Sequence, residues 1–218
     1  MSLPHKPYAG VFITIEGGEG VGKTTLAASL YEHLQKMGHD VLKTREPGGS
    51  KLSEHIRKVL LDPNLDIPIS DRAELFLFLA ARAEHLDELI LPALHAGKIV
   101  ICERFNDSTI AYQGYARNLG VEYVQKLCSA AFPKIEPDCT FFLDIDPEMG
   151  LRRAKNQRGA PLDRLELEKM QFHTAVRQGF LHLLDEHPER IYVLDAQKPP
   201  LEVVQAALSI LNRLIKPK

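Results

Sequence analysis

Nowhere in its 218 residues does the chain hold an apolar run of the ~18 residues that a membrane-spanning helix needs. A signal peptide is not indicated either, because the first ten residues carry Pro4, His5, Lys6 and Pro7 where an apolar core would stand. Cysteine is scarce: Cys102, Cys128 and Cys139 are an odd number without C-x-x-C spacing, which argues against a disulfide framework and suits reduced thiols. The nine histidines show no H-x3-H or H-E-x-x-H pattern, so zinc has no support. Excess charge is missing too. With 27 Lys plus Arg against 29 Asp plus Glu, the net charge of −2 argues against a nucleic acid or an anionic membrane as partner, and any anion site must be local. There is no internal repeat and no low-complexity tail. These absences lead us to expect a cytoplasmic protein with one domain over residues 1–218 and a flexible arm at residues 1–10, its 44% hydrophobic content being ordinary for a packed core.

What is present is an alternation of short apolar runs with longer helical patterns. Val11–Ile15, Val41–Thr44, Ile99–Cys102, Thr140–Leu143 and Ile191–Leu194 each read as a buried strand. Five such runs separated by helices predict an α/β fold, a five-stranded parallel sheet flanked by helices. Leu26, Leu30, Leu34 and Met37 repeat at helical spacing, and Gly38 stands where a C-cap would, so the first helix is expected over 22–37. Ser70 is expected to cap a long helix running towards Ile90, with Pro92 soon after its end. A second break, Gln157–Pro161, interrupts a basic stretch after the fourth strand.

The first strand runs straight into Gly17-Gly18-Glu19-Gly20-Val21-Gly22-Lys23-Thr24, a full match to G-x-x-x-x-G-K-[ST] in the strand-to-helix context that this motif requires. Its glycines let backbone N–H groups point inward, the helix N-terminus adds positive partial charge, and Lys23 reaches the β and γ phosphates of a nucleotide. Thr24 can place its hydroxyl on Mg²⁺. A P-loop that binds ATP or GTP is therefore expected, although the reaction stays open, because such loops also serve switches and motors.

Metal chemistry calls for an acid, and both Glu103 and Asp144 end buried strands on the sheet edge where ligands gather in open α/β folds. Glu103 is the favoured candidate; either acid can instead cap a helix. Arg104, next in the chain, suits a phosphate oxygen pair, or a surface salt bridge. Phe78 and Arg82 share a helical face on which a ring can stack on a base while the guanidinium meets a carbonyl; core packing is the alternative. Beyond Asp107, read as an N-cap, Thr109, Tyr112 and Gln113 line either a small polar pocket or a solvated helix. Arg152, Arg153, Lys155, Arg158 and Arg164 cluster across the 157–161 break, either as a solvated basic helix or as a mobile lid over 152–164 that supplies arginine to a transition state.

Several motifs in one order now resemble the bacterial thymidylate kinases, from Phe12 to about Ala207: Thr44-Arg45-Glu46-Pro47-Gly48-Gly49, Phe78-Leu79-Ala80-Ala81-Arg82, Glu103-Arg104-Phe105, Ala111-Tyr112-Gln113-Gly114 and Leu162-Asp163-Arg164-Leu165-Glu166. The resemblance implies a P-loop fold of the nucleoside monophosphate kinase type, transfer of the γ-phosphoryl group of ATP to dTMP, Mg²⁺ held through Thr24 and Glu103, and a homodimer. Residues 17–25, from Gly17 through Val21 and Gly22 to Thr25, would hold ATP. Phe78 would stack on thymine, Arg82 and Thr109 would bond its edge, and Tyr112 would lie beneath the deoxyribose. Arg104, helped by Arg45, would hold the acceptor phosphate, with Pro47, Ser108 and Gln113 also against the acceptor. Because the P-loop carries Glu19, Gly20 and Val21 and no arginine, the chain looks like the lid-arginine type. Lys23, Arg104, Arg153 and Arg158 are then the catalytic candidates, with Glu19 near the acceptor sugar. Two features depart from the family pattern: Glu103 stands where aspartate is common, and the lid is longer around Gly159-Ala160-Pro161.

Overall fold

The computed structural model describes residues 8–132, 135–157 and 162–215. Five parallel strands, β1 (Val11–Glu16), β2 (Val41–Arg45), β3 (Ile99–Glu103), β4 (Cys139–Asp144) and β5 (Ile191–Asp195), pair in the order β2-β3-β1-β4-β5. Every strand continues one residue beyond its apolar run, and the added residues, Glu16, Arg45, Glu103, Asp144 and Asp195, are all ionisable.

Strand side chains alternate between faces, and both faces of the central strands β1, β3 and β4 are covered, which is why their runs are almost continuously apolar, whereas Lys43 and Val193 are exposed on the edge strands β2 and β5. Ile13, Ile15, Ile101 and Phe141 face α1 (Lys23–Lys36) and α9 (Pro200–Leu214), packing on Leu26, Leu30, Ala207 and Leu211. Phe12, Val100, Cys102 and Phe142 face the other layer, which includes α3 (Asp71–His85), α4 (Leu91–His95), α6 (Val121–Ala131) and α8 (Met170–Glu186). Tyr8 belongs to that core and donates its hydroxyl to the Glu136 carbonyl at 3.2 Å, so the expected arm is docked at its carboxyl end. All three cysteines are buried and unpaired. Among the described residues no helix is long and apolar enough to cross a membrane.

Two helical expectations need correction. Pro92 does not end the long helix: after α3 the chain widens into a π-helical turn, Leu86–Ile90, and continues as α4 with Pro92 near its start. A proline brings no N–H and presses on the carbonyl four residues back, and a wider turn just before it lets the helix absorb the defect. Asp107 is no N-cap. It lies inside the short α5 (Asn106–Thr109), and its carboxylate chelates Arg190 at 2.7 and 2.9 Å, a partner 83 positions away.

A second π-helical segment, Ile110–Ala116, follows α5. Gly179 of α8 faces it so closely that a methyl there would stand 2.9 Å from the Ala111 Cα. This approach sets the Tyr112 ring edge-on to Phe172 and Phe180, at 5.9 and 6.4 Å.

Candidate active site

Residues 17–22 carry the chain from β1 into α1. Gly17, Gly20 and Gly22 adopt φ of 137°, 65° and 96°, a region that side chains with a Cβ avoid. Lys23 folds back so that Nζ donates to the Gly17 and Gly18 carbonyls, at 3.2 and 2.5 Å. Burial first, then the Arg104 charge, pulls this ammonium down to about 8. The loop rests on α7 (Pro147–Gln157): a methyl on Gly20 would meet the Gly150 carbonyl, and one on Gly150 would meet the carbonyl of Glu19.

The Thr24 hydroxyl donates to the Glu103 carboxylate at 2.8 Å. A hydroxyl and a carboxylate oxygen brought together at the phosphate-binding loop are the hard donors that Mg²⁺ takes alongside phosphates and water, so these two residues fit that ion. Asp144 is committed elsewhere. Arg177 binds both of its oxygens, at 2.7 and 2.8 Å, which leaves Glu103 as the acid beside Thr24.

Arg104 leaves β3 with φ 66°, a conformation uncommon outside glycine. Buried Glu16 holds it there from below, accepting from the Phe105 N–H at 2.7 Å and the Ser108 hydroxyl at 2.5 Å. Burial first, and Asp107 second, push the Glu16 carboxyl up. The turned guanidinium donates to the Gly17 carbonyl (2.9 Å), Ser108 Oγ (3.2 Å) and Glu19 (2.7 Å), and lies 4.9 Å from the centre of the Tyr112 ring. Tyr112 donates to the same Glu19 oxygen at 2.7 Å. Burial alone would raise the Glu19 carboxyl, but Arg104 and then Lys23 reverse this and hold it down to about 2. The P-loop and the π-helical segment thus meet in one ion-paired knot.

One cavity of about 680 Å³ runs from Lys23, Thr24, Thr25 and Glu103 to Phe78, Arg82, Ser108, Thr109, Tyr112 and Gln113, passing Glu19, Arg45, Pro47 and Arg104. Along it Arg45 is held by both Glu54 oxygens, at 2.9 and 3.1 Å. Pro47 follows a cis peptide bond. Arg82 is buried, fixed by Glu46 at 2.6 Å and Asn106 at 2.9 Å. Arg153 does not line the cavity; it donates to the carbonyls of Ala196 and Gln197, at 2.6 and 3.4 Å, just after β5. Arg158 lies outside the described residues. Arg164, placed in the basic cluster by sequence, binds the Leu60 carbonyl and buried Glu74.

Sequence reasoning missed four residues here. Arg57, on α2 (Lys51–Leu61), lines the cavity and donates to the Pro47 carbonyl at 2.8 Å. Its only signal was charge. Glu46 sat within a quoted motif without a role; it anchors Arg82 and His85, and the latter also bonds the Thr44 hydroxyl at 2.7 Å. Glu46, His85 and Cys102 converge within 4.8 Å, but the Arg82 guanidinium already engages the Glu46 carboxylate and the Cys102 thiol donates to the Arg104 carbonyl at 3.1 Å. Glu16 and Glu74 are buried acids whose partners lie far along the chain.

A phosphate-binding loop at the carboxyl edge of a five-stranded parallel sheet, opening into a cavity with further arginines, defines a P-loop phosphotransferase of the nucleoside monophosphate kinase type. The family model described as thymidylate kinase matches residues 15–207. The thymidylate kinase of Protochlamydia amoebophila is 50% identical over 215 residues, covering 96% of each chain. That of Oceanobacillus iheyensis is 43% identical, covering 96% of this chain and 93% of its own. The crystal structure of thymidylate kinase from Ehrlichia chaffeensis superposes with a TM-score of 0.76 at 33% identity, covering 94% of this chain and all of the other. The chain belongs to the thymidylate kinase family, whose reaction is the phosphorylation of dTMP to dTDP.

Proposed function

We propose that this chain carries out its family's reaction within this cavity, transferring the γ-phosphoryl group of MgATP to dTMP for dTTP synthesis. The observation that carries this reading is the continuity of that cavity from the P-loop at one end to an aromatic and polar lining of Phe78, Arg82, Thr109, Tyr112 and Gln113 at the other. No side chain need act as a nucleophile, since a phosphate oxygen of dTMP can attack the γ-phosphorus in line, so positioning and charge neutralisation do the work. Lys23 exchanges its contacts with the loop carbonyls for phosphate oxygens. Arg104 holds the acceptor phosphate, with Arg45 and Arg57 along the same wall. Phe78 stacks on the base, Arg82 and Thr109 read its edge, and Tyr112, tied to Glu19, shapes the floor beneath the sugar. Held by Thr24 and Glu103, Mg²⁺ would neutralise phosphate charge. Residues 152–164 act as the lid, with Arg158 as its candidate transition-state arginine and Arg153 as a second that would first have to leave the Ala196 and Gln197 carbonyls.

We also place the chain in the cytoplasm as a homodimer. Leu52 and Val59 on α2 and Phe76 on α3 are roughly half exposed, an apolar surface that a second copy would cover. The deciding experiment is phosphoryl transfer from MgATP to a panel of dTMP, dUMP, dCMP, GMP, AMP and thymidine. A clear preference for dTMP is expected; preference for another acceptor would discard the thymine pocket, and binding of ATP without transfer to any of them would discard the kinase.

A further inference from the structure

Glu74 stands one helical turn before Phe78 and two before Arg82 on the same face of α3, fully buried, yet it does not line the cavity. Its two oxygens gather three partners. Oε1 accepts from Gln113 Nε2 at 2.9 Å and from Arg117 Nε at 3.1 Å; Oε2 accepts from Arg117 Nη2 at 3.1 Å and Arg164 Nη2 at 2.6 Å. Burial alone would raise this carboxyl, but Arg117, Gln113 and Arg164 together hold it below its usual range. It is therefore ionised and can only accept.

An acceptor-only neighbour settles which way an amide faces. Gln113 must turn its NH₂ towards Glu74, and Oε1 is then the group that it can offer beside the cavity it lines. Thymine and uracil carry a donor at N3, whereas cytosine has an acceptor at N3 and an amino donor at position 4. A carbonyl oxygen in the pocket welcomes the first pattern and repels the lone pair of the second.

We propose that Glu74 is a specificity-positioning residue, which fixes the Gln113 amide so that the pocket presents an acceptor to the pairing edge of the base and thereby selects N3–H pyrimidines over cytosine. This rests on the reading of the cavity as the dTMP site. A strut serving only Arg117 and Arg164 would stabilise the fold without preferring any base, and the two roles separate experimentally.

Glu74→Gln keeps the shape, but its own NH₂ can donate to Gln113 Oε1 and free Gln113 to turn its NH₂ towards the cavity. The experiment compares kcat/KM for dTMP, dUMP and dCMP with MgATP in the full chain and in E74Q. We expect the dTMP-to-dCMP ratio to fall about tenfold or more, with the dTMP-to-dUMP ratio unchanged because those bases share their pairing edge. A proportional fall for all three nucleotides would overturn the inference and leave Glu74 a strut. Should E74Q fail to fold, Gln113→Leu retains Glu74 and both arginines: a narrowed dTMP-to-dCMP ratio supports the assignment, and an unchanged one overturns it. If the unaltered chain does not phosphorylate dTMP at all, it is the reading of the cavity that fails.

Discussion

Replacing Gly150 with alanine sets two effects of similar size against each other. The residue lies inside α7, where alanine is favoured over glycine by about 1 kcal/mol. Against this, the new methyl would stand well inside 3.0 Å of the Glu19 carbonyl oxygen, a backbone atom with no flexible end to swing aside. Overpacking of this kind costs about 1–3 kcal/mol, so net stability should fall by no more than ~2 kcal/mol. The larger effect is on geometry. Ordinary contact begins at 3.4 Å, so helix and P-loop must part by on the order of 1 Å, and a misplacement of that size costs about 10²-fold in rate. Urea unfolding together with steady-state kinetics should show G150A less stable than the parent by no more than ~2 kcal/mol, with kcat/KM for ATP about 10²-fold lower. A variant stabilised by about 1 kcal/mol at full activity would refute the idea that α7 buttresses the phosphate loop.

Two further outcomes follow from the charges around the loop. Lys23 titrates near 8 and phosphate favours its protonated form, so ATP affinity should be flat below that pH and weaken by about tenfold per pH unit above it, while Lys23→Arg should bind with little pH dependence; calorimetric titration across pH 6.5–9.5 checks this. Arg104→Lys offers one ammonium where a fork spans the Gly17 carbonyl, Ser108 and Glu19, and should raise KM for dTMP about 10- to 100-fold at a modest cost in melting temperature. An unaltered KM would remove Arg104 from the acceptor site.

The three central strands were legible because burial on both faces makes each of them an almost continuous apolar run, and the edge strands β2 and β5 showed shorter, more broken versions of the same signal. That same criterion stopped one residue short every time. Glu16, Arg45, Glu103, Asp144 and Asp195 are strand residues that hydropathy rejects, and three of them touch the candidate site because the sheet delivers charge to its carboxyl edge. The P-loop was fully readable, since its geometry is local and its glycines are forced by φ. What the residues alone left open was pairing over distance. Asp144 reads as a metal ligand until Arg177 is brought beside it, Asp107 as a cap until Arg190 arrives, and Arg164 as one more cation of a basic cluster until Glu74 is found beside it. The motif order carried the acceptor pocket where periodicity did not, because Phe78 and Arg82 look like any core stripe until Glu46 and Asn106 fix the guanidinium.

The buried thiols have a practical consequence. Burial raises the Cys102, Cys128 and Cys139 thiols, the last to about 12, so none offers a thiolate to solvent at neutral pH. The chain is thus a silent background for thiol labelling. A single cysteine introduced at exposed Arg152 on α7 would carry a fluorophore or spin label alone, and would report whether that helix moves during turnover without prior removal of native cysteines.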